Sequence, residues 1–391
     1  MAVLERFDAP FFGAALFSAV GSLPLHVLPI LLTATVLEGV IPAAAAGWIA
    51  AALMLGNLTS SIGLASLGFR SLSPAQNLST VVLFAGGMAL TAFGNAPVLI
   101  AGWFLTGLAC GAMLFFGVTV TAANTKIRWA FATRLACVLA LASVVSLLML
   151  AIQTSPHASS YARLLSVVLT FTVVLCGIAL ILSLIASTES PSGTKQRSGA
   201  DGASTSIHAK YRRSGMAITL LMFAGQTGFW IYSGVVAEQK GYSLFTFILA
   251  VSIAKALAST YLFARTNSGA PPDASRSMLL SALGCITGIL LMYSTNLIAS
   301  YVAGLVLWQI TFNALSARLQ GELVAVDPAL GGRWLTAVVM TGTALGPVFH
   351  GATLYIKAET VFVALCCASA LLPFLWYVHA RRQSAHHLHR V

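Results

Sequence analysis

Twelve apolar runs, each long enough to cross a lipid bilayer and separated by short polar breaks, constrain this chain more than any other feature. They cover 11–35, 41–64, 77–94, 97–121, 131–152, 163–187, 215–236, 243–264, 278–295, 297–319, 334–356 and 360–379. Hydrocarbon about 30 Å thick takes roughly 20 apolar residues of helix. No water reaches the backbone there, so each run must satisfy its own N–H and C=O groups as a helix. Only 8% of the residues are charged and 58% are hydrophobic. Soluble domains carry about 25% charged residues. The fold class expected is therefore an all-α integral membrane protein with twelve transmembrane helices. The breaks carry turn chemistry, such as GNAP at 94–97 and STN at 294–296.

The formal charge of +11 raises the possibility of nucleic-acid binding, but its distribution argues for topology instead. Of the 21 Lys and Arg residues, all but Arg163, Lys240, Lys357 and Lys255 fall on the side shared by both termini. Arg128, Arg134, Arg318 and Arg333 are counted there. Under the positive-inside rule both termini are cytoplasmic, and the partner is a lipid bilayer rather than nucleic acid.

The longest break, ESPSGTKQRSGADGASTSIHAKYRR, divides the chain into a first half (1–188), a cytoplasmic linker (189–214) and a second half (215–380). Its Ser, Gly and basic content reads as a flexible connection. A basic cytoplasmic tail (381–391) follows, rich in histidine and read as solvated rather than metal-binding. Cys110, Cys137, Cys176, Cys285, Cys366 and Cys367 all lie inside apolar runs without metal-ligand spacing, and are expected to pack as small apolar residues.

Four local patterns resemble the major facilitator superfamily of transporters. The fourth run reads AGWFLTGLACGAMLFFG, similar to an R-F-x-x-G-x-x-x-G element, with Trp103 in the place of arginine. The tenth, ASYVAGLVLWQITFN, starts around a glycine in a comparable way. The loop GLASLGFRSLS resembles a reduced G-x-x-x-D-R-x-G-R-R, keeping Gly63, Gly68 and Arg70 and lacking the aspartate. The eleventh run carries Gly342, Gly346, Pro347 and Gly351 in a G-x-x-x-G-P-x-x-x-G pattern. The resemblance implies two six-helix halves rocking about a mid-membrane site, a monomer, and no cofactor. It also implies a cavity built from the first, second, fourth, fifth, seventh, eighth, tenth and eleventh helices.

Polar residues inside the spans are the candidate site. Lys255 is the one charge between Leu244 and Ala264. A lysine at the centre of a membrane helix costs about 2.5–3.5 kcal/mol on insertion scales. All ten acids lie in loops, tails or span ends, and Glu38 is the nearest to a span. Lys255 is thus expected either to lose its proton as a structural lysine or, the favoured reading, to meet a negative charge brought by a small-molecule substrate. Gln226, Gln309 and Asn313 are candidate hydrogen-bonding groups, with helix–helix contact as their alternative. Trp103, Trp230 and Trp308 are candidates for an apolar binding surface or for simple space-filling. His26, His350 and Glu38 are the groups available to carry a coupling proton, a histidine being suited by its ordinary pKa.

The function expected is secondary transport of a small organic anion, a carboxylate with an apolar or aromatic body, across an inner membrane. Symport, exchange and facilitated diffusion all stay open. The rival is a proton-coupled exporter of hydrophobic compounds. A receptor on a transporter fold is a third class, separated from both by a flux measurement. No nucleophile–base pair, carboxylate pair or metal cluster occurs at catalytic spacing, so an enzyme is not expected.

Overall fold

A computed structural model describes residues 9–39, 41, 43–69, 73–93, 96–153, 161–189, 206–267, 273–326, 328–355 and 358–388. The twelve expected spans are twelve helices. They are α1 (Ala9–Leu37), α2 (Ala43–Ser66), α3 (Pro74–Leu90), α4 (Ala96–Ala122), α5 (Ile127–Gln153) and α6 (Tyr161–Glu189), then α7 (Ser206–Gln239), α8 (Leu244–Asn267), α9 (Ala274–Ser294), α10 (Ile298–Val326), α11 (Pro328–Tyr355) and α12 (Glu359–Leu388). Ten hold an apolar stretch long enough to cross a bilayer. The described apolar stretches of α3 and α6 are shorter.

Local chemistry sets the helix ends. Ser73 accepts from the Gln76 backbone N–H while the Gln76 side chain accepts from the Ser73 N–H, a capping box ahead of Pro74. Gly68 and Gly241 adopt positive φ (78° and 79°) where the chain leaves α2 and α7. The stretch expected as linker is shorter than its composition suggested, since α7 already begins at Ser206. The tail up to Leu388 continues α12, and its last three residues lie outside the described part.

Helices α1–α4 and α6 pack mainly among α1–α6, and α7 and α9–α12 mainly among α7–α12, whereas α5 and α8 pack chiefly across to the other set. The two sets meet chiefly where α5 lies along α8 and α2 along α11. Glycine permits the tightest contacts. A Cβ on Gly107 would stand 2.1 Å from the Leu53 carbonyl oxygen of α2. One on Gly342 would stand 2.3 Å from that of Leu220 on α7. The motif glycines of α4 and α11 therefore let neighbouring backbones touch.

Side-chain bonds between helix ends show which ends lie together. Arg128 at the start of α5 binds Glu322 near the end of α10, and Arg333 near the start of α11 donates to Ala65 O near the end of α2. At the opposite end Glu38, just past α1, accepts from the Tyr161 N–H that opens α6 at 2.7 Å. Burial raises the Glu38 pKa, and that bond partly opposes the rise.

Candidate functional site

A cavity enclosing about 870 Å³ of space, counting the part open to the outside, lies among α1, α4, α5, α7, α10 and α11. It runs from the helix middles (His26, Trp230, Trp308) toward the end where α5 and α11 begin (Arg134, Leu335). Helices α3, α6, α9 and α12 contribute nothing to it and carry exposed apolar side chains, among them Val82, Val174, Leu290 and Leu375. Helices α2 and α8, expected at the cavity, stand behind its wall.

The mid-membrane pole is aromatic. Trp230 stacks on Trp308 (centroids 5.9 Å apart, planes 13°), and Trp308 stacks on Phe312 (5.2 Å, 4°). Phe223 meets Phe312 edge-on at 5.7 Å. Two hydrogen bonds hold the indoles. Trp308 Nε1 donates to Gln226 Oε1 at 2.7 Å, and Trp230 Nε1 donates to the Leu25 carbonyl at 3.2 Å.

The opposite pole is polar and cationic. Arg134 is 5% exposed and is the one charged side chain lining the cavity among the described residues. Its Nη1 donates to Ser18 Oγ at 2.9 Å and its Nη2 to Gln320 Oε1 at 3.2 Å. Gln320 is held in turn, its Nε2 donating to Ser316 Oγ at 2.8 Å. Arg134 Nε has no hydrogen-bond partner, nor has the hydroxyl of Thr336 across the cavity. No acidic side chain pairs with Arg134 among the described residues. A buried guanidinium that gives two of its five N–H donors to neutral partners, with no acid beside it among the described residues, is arranged to receive an anion. From Trp308 to Gln320 the poles lie roughly 18 Å apart along α10, and from Ser18 to Leu25 about 10 Å along α1, at 1.5 Å per residue.

No protein-family model and no curated protein matches this chain by sequence. Solved structures do match, over nearly its whole length. The human organic anion transporter MFSD10 shares 14% identity, covering 94% of this chain and 97% of its own, at a TM-score of 0.64. FucP, a major facilitator superfamily transporter seen in its outward conformation, shares 14% over 95% and 99% at 0.63. The proton:xylose symporter XylE shares 14% over 95% and 94% at 0.64. The chain has the major facilitator fold.

Within this major facilitator fold, the sequence-expected site residues separate into three groups. His26, Gln226, Trp230, Trp308, Gln309 and Asn313 line the cavity. Gln226 nonetheless has its amide committed, since Nε2 donates to Cys366 O (2.7 Å) and Ser369 Oγ (2.9 Å) of α12 while Oε1 orients Trp308. Asn313 Nδ2 donates to Gln309 Oε1 at 2.9 Å and to Gln309 O at 2.6 Å.

Trp103, His350 and Glu38 do not reach the cavity. Trp103 is buried on α4 outside the lining. His350 Nδ1 lies 2.7 Å from Gly346 O and its Nε2 3.2 Å from Cys366 Sγ, with its ring edge-on to Phe362. Glu38 lies beyond the end of α1 as the acceptor for α6.

Lys255 is fully buried and lies one layer behind the lining. Its ammonium donates to the His26 carbonyl and stands 4.8 Å from the centre of the Trp230 ring. The cation that faces the cavity is instead Arg134, which lies near the start of the fifth apolar run and was counted only among the charges of the cytoplasmic side. Helix α5 starts at Ile127, so Arg134 sits two turns inside it. The available signal was its setting, ATRLACVLALA, with apolar residues running on from it rather than ending there.

Proposed function

We propose that the protein is a secondary transporter of an elongated amphiphilic organic anion, moved by alternating access of the α1–α6 and α7–α12 sets. The observation that carries this reading is Arg134, a cavity-lining guanidinium with an unused Nε and no acidic partner among the described residues. A carboxylate supplies the missing acceptor, and the Trp230–Trp308–Phe312 stack accepts an apolar chain or ring at the other pole. The likeness to a human organic anion transporter agrees with this reading. FucP and XylE carry sugars, but the aromatic stack at one pole and the unpaired guanidinium at the other suit an amphiphilic anion better than a neutral sugar. Export of hydrophobic compounds is the second reading, favoured by that same wall. A cationic compound would meet Arg134 as a like charge.

Of the three expected proton carriers His26 lines the cavity, but the Lys255 ammonium on its carbonyl opposes a second positive charge there, so we assign no proton coupling. The arginine-rich end is cytoplasmic under the positive-inside rule, in a multi-pass protein of an inner membrane. The cavity then extends toward the cytoplasm.

Thermal shifts of the purified protein test the anion site. Dodecanoate and 2-naphthoate are expected to stabilise the wild type, while acetate, tetraphenylphosphonium and fucose are not. Arg134→Gln is expected to weaken dodecanoate binding by about 2–5 kcal/mol, roughly 30-fold or more, as for other truncated buried charge pairs. Stabilisation by the cation or the sugar, or full dodecanoate binding by Arg134→Gln, would overturn the reading.

A further inference from the structure

Lys255 poses the question that the cavity leaves over: a fully buried ammonium without an acidic partner among the described residues. Its surroundings explain how it is held. Pro29 on α1 has no N–H, so the Leu25 carbonyl four residues earlier lacks its helical donor. Trp230 Nε1 fills that position, and Lys255 donates to the next carbonyl, His26 O. Two donors from the second helix set thus grip a proline-loosened stretch of α1 in the first. The ammonium also lies against the Trp230 face, a cation–π contact.

The two residues covering Lys255, His26 and Trp230, are themselves cavity walls, and they belong to opposite helix sets. Parting those sets would remove the carbonyl and open the ammonium to the cavity. The α5–α8 seam places the lysine relative to Arg134. Ser143 Oγ donates to Ser252 O, and Ser259 Oγ donates to Ala136 O. Lys255 therefore falls opposite Leu139 and Ala140, which is about 9 Å beyond Arg134 at 1.5 Å per residue.

We propose that Lys255 is a second anion-binding cation, covered by α1 in this state and uncovered when the helix sets rock to face the other side of the membrane. The proposal rests on the anion reading given above. The anion passes between Arg134 on the first set and Lys255 on the second, and each cation serves one side of the cycle. In the state seen here the His26 carbonyl and the Trp230 ring stand in for the anion. A buried cation is thereby kept in lipid without a fixed carboxylate, which would compete with the anion for it.

Two measurements test this. In a background with the six cysteines replaced, Lys255→Cys and Asn313→Cys are treated with the impermeant reagent 2-sulfonatoethyl methanethiosulfonate in right-side-out and inside-out vesicles. Lys255→Cys is expected to react from the face opposite to the one that labels Asn313→Cys. In proteoliposomes, the dodecanoate flux of Lys255→Gln is expected to fall at least tenfold. Lys255→Arg, which keeps the charge, is expected to retain flux and guards against a variant that merely misfolds. Labelling of Lys255→Cys from neither face, or wild-type flux in Lys255→Gln, would overturn the proposal alone. Failure of the wild type to bind either dodecanoate or 2-naphthoate would overturn it together with the anion reading.

Discussion

Glu322 joins the two helix sets at the end toward which the cavity extends, and neutralising it should loosen that end. Its carboxylate takes a two-pronged contact from Arg128 (Nε–Oε1 and Nη2–Oε2, both 2.9 Å). Arg318 Nε lies 3.0 Å from Oε1, an ion pair outside hydrogen-bonding geometry. Glu322 is 8% exposed and the Arg128 side chain 58%. A hydrogen bond to a charged group is worth about 1.5–3 kcal/mol, and the exposure of Arg128 pulls its share toward the surface figure of about 1 kcal/mol or less. Glu322→Gln keeps one acceptor and loses the charge, so the closed arrangement should lose about 1–2 kcal/mol, or roughly 5–30-fold in the closed-to-open ratio. The assay is the thiol-labelling rate of Ser316→Cys, a cavity residue, in inside-out vesicles of the cysteine-replaced background. That rate should rise by the same factor with Glu322→Gln. Arg128→Gln should raise it less on top of Glu322→Gln than alone, because the two residues share one interaction. An unchanged rate in a folded Glu322→Gln variant, or full additivity of the two changes, would refute the argument.

Two further predictions concern stability. Gly107→Ala would place its Cβ 2.1 Å from Leu53 O and 3.0 Å from Asn57 N, so α2 and α4 must separate; thermal unfolding in detergent should show a clear fall in Tm, whereas Gly63→Ala, with open space around its Cβ, should leave it nearly unchanged. The Glu38 pKa is raised on folding, so the folded state holds that proton more tightly than the unfolded chain. The Glu38 contribution to stability should therefore grow as pH falls through the interval between its ordinary and raised values and fade as pH rises again; Glu38→Gln should flatten that part of the stability–pH curve, measured by thermal unfolding across acidic buffers.

The architecture was legible because it depends on short windows of sequence. A run such as TVFVALCCASALLPFLWYV can only be helical in lipid, whatever surrounds it. The breaks between runs, and the small residues of α4 and α11, were legible for the same local reason. The Trp and Gln residues of α7 and α10 that line the cavity stand out in the sequence because large polar-tipped groups are few in these spans. That residues 206–214 are helical was not legible, because a basic, serine-bearing composition reads as solvated although a helix can extend past an apolar run. That Arg134 lines the cavity was not legible either, because an arginine near a span end reads as facing the aqueous side.

By itself the sequence determined that the chain forms twelve apolar helices and that an unbalanced cation lies within one of them. The tertiary structure decided which cation faces the cavity. These helices are apolar on nearly every side, so no amphipathic stripe marks an inner face. Rotation is decided by neighbours far along the chain: Ser18 and Gln320 turn Arg134 inward, while the His26 carbonyl of α1 holds Lys255 behind the wall. Contacts over 116, 186 and 229 residues of separation leave no periodicity that a local reading can detect.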